Sequence, residues 1–393
     1  IWNDPAGLPL GFDSTVALSE TQIRADNAVN RFQPQLVDPE HGNYRPVAGG
    51  NLFGVTTYVI PPFPSDDRAS PPLAPLGDLN NQVAADFSGV VRHRTSPPGA
   101  FTLASTQRSV HGDFDHDRRS DLAVYWALTG GWYVLQSATG TQRNERWGGP
   151  GAWPVAADYD GDGRADPAVY WPVNGQWNLL LSGTRSHFAR AWGFATAWPV
   201  PGDYDGDGRD DLAVYDPAGH WYVRTIYDAT VLFGTPWGFS GALPVPSDYD
   251  GDRRLDLAVF NPAGGKWYIR GVDGRILAWA LNWGFTGCKP VPGDYDGDGR
   301  ADLALFNPAS GRWFIRTLAG AVPAMGLSWG FDGCVPVPGD YDGDGRADLA
   351  LYYQPRGTWY IWSLTRGVIA FARPWGWRDA VPVISQVRIN GLR

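Results

Sequence analysis

From about residue 110 onward, apolar and polar positions alternate in short bursts. One stretch, PVPGDYDGDGRADLALFNPASGRWFIRTLAGAVPAMGLSWGF (290–331), shows the grammar. Runs such as PVPGD, DLALF, RWFIR and VPAMGLSWG are separated by clusters of Gly, Pro, Asn and Asp, which are turn chemistry. Hardly any stretch longer than about eight residues lacks a turn signal, which leaves little room for helices. The pattern predicts an all-β chain of four short strands per unit. Leu303-Ala304-Leu305-Phe306 has the continuous apolar character of a strand covered on both faces.

The unit recurs. The residues DYDGDGRAD stand at 158–166, 294–302 and 340–348, and near copies stand at 113–121, 203–211 and 248–256. Their first aspartates are spaced by 45, 45, 45, 46 and 46 residues. A period this tight, with four strands in each copy, is the arithmetic of a β-propeller. After the sixth copy, WGWRDAVPVISQVRINGLR (375–393) begins another unit, with Ser385 where an aspartate would fall. Upstream, residues 85–110 read like the second half of a unit. Joining these two pieces would make a seven-bladed propeller over 85–393, its ring closed by N- and C-terminal strands and its edges thereby removed.

Charge changes the picture. The formal net charge is −9, yet positions 1, 3, 5 and 9 of the six motifs hold 24 aspartates, without which the chain would stand at +15. Four carboxylates within nine residues repel one another unless a cation lies among them. Positions 1, 3, 5 and 9 offer side chains, glycine at position 6 permits a left-handed turn, and the carbonyl of position 7 can turn inward. The expected ligands are therefore Asp113, Asp115, Asp117 and Asp121; Asp158, Asp160, Asp162 and Asp166 with the backbone of Arg164; and Asp203, Asp205, Asp207 and Asp211 with Arg209. In the later copies they are Asp248, Asp250, Asp252 and Asp256 with Arg254; Asp294, Asp296, Asp298 and Asp302 with Arg300; and Asp340, Asp342, Asp344 and Asp348 with Arg346. Up to six Ca²⁺ sites follow. Those at 113–121 and 248–256 should be weaker, because Arg118 and Arg253 replace the glycine of position 6.

These motifs, followed by P-x-x-G-x-W and then WGF, resemble the FG-GAP/VCBS-type repeats of bacterial extracellular proteins, and integrin α-subunit propellers carry similar loops. The resemblance spans roughly 85–393. It implies a seven-bladed propeller with calcium between the first two strands of each blade, outside the cell or at its surface. It further implies a role in adhesion, carbohydrate binding or surface assembly.

Twelve of the 20 tryptophans fall at two fixed places per repeat. One set is Trp132, Trp177, Trp221, Trp267, Trp313 and Trp359; the other is Trp147, Trp192, Trp237, Trp283, Trp329 and Trp375. Such regularity favours packing between blades over sugar stacking. The less regular Trp126, Trp153, Trp171, Trp198, Trp279, Trp362 and Trp377 are the candidates for exposed contacts. Cys288 and Cys334 occupy one place in consecutive repeats where other copies carry alanine. A small buried slot explains them, and a disulfide between adjacent blades is the alternative. His41, His93, His111, His116, His187 and His220 form no zinc spacing, and no nucleophile elbow, phosphate loop or basic block points to an enzyme or to nucleic acid. No apolar run is long enough for a membrane helix.

Residues 1–84 are different text. The chain opens Ile1-Trp2, which reads as a processed or trimmed product. Residues 60–79 are Pro-rich, 19–32 could make a short helix behind a capping box, and NLFGVTTYVI (51–60) has strand character. This segment is expected to act as a docking arm, wrapping its own propeller or, by preference, seating on a neighbouring copy. A head-to-tail contact of that kind grows filaments. The favoured function is a non-enzymatic, self-assembling subunit of a surface fibre or sheath; a lectin-like or adhesive propeller that binds glycans or a cell-surface partner is the alternative.

Overall fold

The computed structural model describes residues 110–383 and two short strands at Leu36–Asp38 and Asn43–Pro46. Those two strands pair antiparallel, Leu36 facing Pro46. The chain divides into two compact units, 1–106 and 107–393. The expected helix at 19–32, the strand at 51–60, the Pro-rich 60–79 and the half-unit at 85–110 lie outside the described residues, apart from Val110.

The second unit is an all-β propeller, and among the described residues it has six blades, not seven. Each blade is a four-stranded antiparallel sheet. Blades 2 to 6 run in chain order through Trp153–Ala191, Trp198–Pro236, Leu243–Asn282, Lys289–Ser328 and Cys334–Pro374. Blade 1 holds Leu122–Trp126, Gly131–Leu135 and Gln142–Arg146, and takes its innermost strand, Val381–Pro382, from the far end of the described chain. Val381 faces Tyr125, and the Val383 N–H donates to the Ala123 carbonyl at 2.9 Å. The tail that reads as the start of a seventh unit is the missing strand of the first blade. The ring closes without a further sheet.

The core lies between blades. Leu122 and Val124 of blade 1 pack with Val335, Ala350 and Tyr352 of blade 6, and Leu212 and Val214 of blade 3 pack with Ala168 and Tyr170 of blade 2. The continuous apolar second strands, such as Leu303–Asn307, are buried on both faces, as their composition requires.

Tryptophan fixes each blade at two depths. Trp132, Trp177, Trp221, Trp267, Trp313 and Trp359 are fully buried. Each donates its indole N–H to the carbonyl of the second-set tryptophan of its own blade, for example Trp267 to Trp283 at 2.7 Å and Trp177 to Trp192 at 2.6 Å. The second set is half-buried and reaches across to the next blade, as Trp147 does to the Asn178 carbonyl at 2.9 Å and Trp375 to the Tyr133 carbonyl at 3.4 Å. Packing is the role of both sets. Of the seven irregular tryptophans, Trp279 alone is exposed; the other six are half-buried. The glycine after a second-set tryptophan is required by space: a Cβ on Gly330 would stand 2.8 Å from Leu351 and 2.9 Å from Phe306, and Gly330 has φ of +140°. Cys288 and Cys334 are buried free thiols, so the small-slot reading holds and the disulfide does not.

Candidate metal centres

Each aspartate motif forms the loop that leads into the second strand of its blade, and the loop is built by its own side chains. The position-1 carboxylate accepts at least two backbone N–H groups. In the fifth loop these come from Gly297 at 2.6 Å and Gly299 at 2.8 Å, both to Asp294. The same bonds join Asp113 to His116 and Arg118, Asp158 to Gly161 and Gly163, and Asp248 to Gly251 and Arg253. Asp203 holds Gly206 and Gly208, and Asp340 holds Gly343 and Gly345. The position-5 residues Asp117, Asp162, Asp207, Asp252, Asp298 and Asp344 each accept the N–H of position 7 at 2.8–3.0 Å. Position 9 closes the loop. Asp121, Asp166, Asp211, Asp256, Asp302 and Asp348 accept the N–H of position 2 at 2.8–3.0 Å.

The position-2 side chain pins the loop from beneath. Tyr159, Tyr204, Tyr249, Tyr295 and Tyr341 donate their hydroxyls to the carbonyl of the valine four residues back at 2.7–2.9 Å. Blade 1 has Phe114 there and lacks the bond.

The acids of at least five loops therefore converge. Asp113, Asp115 and Asp121 bring ligand oxygens within 4.8 Å of one another, as do Asp158, Asp160 and Asp166; Asp203, Asp205 and Asp211; and Asp294, Asp296 and Asp302. Positions 1, 3 and 9 make the cluster. Position 5, expected as an equal ligand, stands outside these four groups, its oxygen turned to the backbone and, in blades 1 and 2, to the hydroxyls of Ser137 and Ser182. In the fourth loop the converging set is Asp248, Asp250 and Asp252 instead.

Electrostatics supports a cation. Burial lifts Asp121, Asp256, Asp302 and Asp348 to about 7 and Asp203 to about 8, and the charges of neighbouring aspartates add to the rise. Asp158, Asp166 and Asp211 are pushed well above the usual carboxylate range by burial first and neighbouring acids second. Buried, mutually repelling carboxylates presented on a preformed loop fit a hard divalent cation bound through oxygen.

Other features emerge only in three dimensions. Arg118 and Arg253 adopt φ of +67° and +73°, so position 6 does impose the left-handed strain expected of non-glycine residues there. His116 at position 4 shares it, with φ of +70°. The arginines of position 7 reach out of their own loops. Arg209 donates Nε to the Asp160 carbonyl of the preceding blade at 3.0 Å, and a Cβ on Gly206 would meet Arg254 Nε at 2.9 Å. The side chains of Arg300 and Arg346 likewise lie beside Gly251 and Gly297. Next to the fourth loop, Arg275 pairs with Asp250, and in the sixth Arg366 lies 3.6 Å from Asp342. These two arginines come from the turn before the outer strand, more than twenty residues along the chain, and the motif itself gives no sign of them.

Residues 248–305 and 294–351 match the model of the FG-GAP-like repeat. The chain carries FG-GAP-like repeats. These matches cover the fourth and fifth loops fully and extend through the sixth, and the same loop geometry recurs in the first three. No curated protein matches the sequence. Among solved structures, a protein of unknown function from Bacteroides caccae is 9% identical, with 62% of this chain and 82% of that chain covered and a TM-score of 0.38. A chain of a nidogen–laminin complex is 14% identical over 68% of this chain and 99% of its own, with a TM-score of 0.41. Virginiamycin B lyase from Staphylococcus aureus is 9% identical over 67% and 87%, with a TM-score of 0.37. Likenesses this distant carry no argument about activity or partner. Among the described residues, no helix is long and apolar enough to cross a membrane.

Proposed function

We propose that this FG-GAP-like propeller is a non-enzymatic, calcium-clamped scaffold that works outside the cell and joins further copies of itself through residues 1–84. The observation that carries the reading is the repeated loop whose carboxylates converge, in five named copies, with at least one of each group buried or half-buried. Open, carboxylate-rich oxygen sites suit the high free calcium found outside cells. The acids that proton-transfer chemistry would call on are engaged in these loops, which favours a structural role. Each loop also bonds the next blade, so filling the sites stiffens the whole ring.

Assembly draws support from the sequence of the first 84 residues, Pro-rich and strand-prone in turn, attached to a ring with a large exposed outer wall. Titration calorimetry with CaCl₂ should show several sites, and sedimentation velocity in calcium should show concentration-dependent association. A monomer that takes up calcium would retain the clamp and remove the assembly. Absence of calcium uptake would remove both.

A further inference from the structure

The outer wall of the ring is not uniform. In blades 3 to 6 the outermost strand carries a bulge: its register against the third strand shifts near Trp221, Trp267, Trp313 and Trp359. The outer strands of blades 1 and 2 pair without a shift. Beside each bulge a residue takes positive φ, namely Gly234 at +63°, Ala280 at +53°, Gly326 at +73° and Ala372 at +52°. Immediately before each stands a large apolar side chain in solvent: Phe233 (74% exposed), Trp279 (67%), Met325 (73%) and Phe371 (71%). A bulge re-aims a side chain, and here it does so four times in succession.

Three of these side chains have a built seat of aromatic rings. Phe233 packs 6.2 Å from Trp192 and 5.5 Å from Tyr222; Trp279 packs 5.7 Å from Trp237 and 5.4 Å from Tyr268; Phe371 packs 6.3 Å from Trp329 and 5.3 Å from Tyr360. Arginines lie over tryptophans of the same set, two of them over the seats of Phe233 and Trp279. Arg224 lies over Trp192, Arg270 over Trp237 and Arg316 over Trp283. Among the described residues Arg270 and Arg316 make no ion pair, whereas on blades 1 to 3 Arg185 pairs with Glu145 and Arg190 with Asp228. Arg224 pairs with Asp228 at 3.2 Å, so the wall divides into a polar, ion-paired part that reaches into blade 3 and an apolar band on which Arg270 and Arg316 stand without an ion pair among the described residues.

Four consecutive blades of six span two thirds of the ring's circumference, so one flat partner surface cannot meet all four side chains. An extended segment can. The bulges spoil the strand edges as templates for backbone pairing, which leaves recognition to side chains. The occupant should be extended, partly apolar and acidic. Residues 1–84 hold nine acids against four arginines, together with NLFGVTTYVI and a Pro-rich stretch suited to an extended course. Building on the proposed self-assembly, we propose that the outer wall of blades 3 to 6 is the acceptor band for the N-terminal segment of a second copy of this chain. A glycan is less well matched, because sugar hydroxyls call for acceptors as well as donors around a stacked ring, and the neighbours here are arginine, a donor only, and further rings.

The test uses the full-length chain in calcium. Benzoyl-phenylalanine replaces Phe233, and the labelled chain is mixed with ¹⁵N-labelled wild type before illumination. Cross-links from position 233 to residues 1–84 of the other isotope are expected. A Phe233→Ser/Trp279→Ser/Phe371→Ser variant, checked for an unchanged melting curve, should self-associate about tenfold more weakly or worse. Cross-links confined to one isotope would overturn the proposal, since the segment would then seat on its own ring. Undiminished association of the triple variant would overturn it too while leaving self-assembly standing. A wild type that sediments as a monomer at every concentration removes self-assembly and the proposal together. Quenching of wild-type but not variant fluorescence by glycans, without association, would reassign the band to sugars.

Discussion

The carbonyl of Asp340 accepts the N–H of Ser120 at 2.6 Å, and this bond joins the sixth aspartate loop to the first. Five equivalent bonds complete the circle: Ala165 to Asp113, Asp210 to Asp158, Leu255 to Asp203, Ala301 to Asp248 and Ala347 to Asp294, at 2.6–2.8 Å. The acceptor is in every case the position-1 aspartate, whose carboxylate belongs to the candidate site. One residue thus offers its side chain to the candidate site and its backbone to the adjacent blade. Asp203→Asn should therefore weaken binding in adjoining loops as well as its own. Calorimetric titration should lose more than one site's worth of tight binding. Loss of a single site, with the others unchanged, would show independent loops.

Removal of cations should lower the melting temperature sharply. At free calcium a hundredfold above Kd, each site contributes about 2.7 kcal/mol, and several act together. Scanning calorimetry with and without chelator measures the effect; superimposable curves would rule out the clamp.

The pH response should reverse with calcium. Asp121, Asp256, Asp302 and Asp348 sit at about 7 in the fold, above the ordinary carboxylate value of 3.8. The folded chain then binds more protons than the unfolded one between these values, and cation-free stability falls as pH rises from about 4 to about 7. Calcium needs the deprotonated acids, so its affinity should climb through the same window. Melting curves from pH 4 to 8, in chelator and in calcium, should diverge as pH increases.

Arg275 competes for Asp250 as a resident cation. Arg275→Ala should tighten the fourth site, visible as an added or strengthened phase in a calcium titration, with little change in the remaining loops. An unaltered isotherm would show that the pair opens freely.

Much of this arrangement is legible in the sequence. The period gives the blade, the turn residues give the strand ends, and the fixed places of Trp267 and Trp283 give their packing. The blade number is not, and the reason is how the repeat is phased. The motif begins just after the inner strand, so the strand Val381–Pro382 reads as an opening unit although it completes blade 1. Within the loops, spacing places Asp294, Asp296, Asp298 and Asp302 together, but cannot show that Asp298 also accepts the Arg300 N–H through one of its two oxygens. Contacts across blades, such as Arg209 to Asp160, leave no local trace.

Tyr295 offers a stability test with an internal control. Its buried hydroxyl donates to the Val291 carbonyl at 2.9 Å, and Phe114 occupies the same place in blade 1. Tyr295→Phe should cost about 1–2 kcal/mol by leaving that acceptor without its partner. Denaturant unfolding in calcium measures it, and a neutral result would mean that the pinning bond is dispensable in every blade.

The strand Val381–Pro382 also sets an order of events. Blade 1 cannot be complete until a segment from beyond blade 6 returns to pair with Tyr125 and Val124, which makes this the contact of longest range in the ring. Blades 2 to 6 are built from neighbouring stretches of chain and can form early. Closure waits, and long-range pairing is slow. The last kinetic phase of folding should then be the docking of this clasp. Until it docks, the inner edge of blade 1 is open, and the unfinished ring is most vulnerable to pairing with the wrong chain.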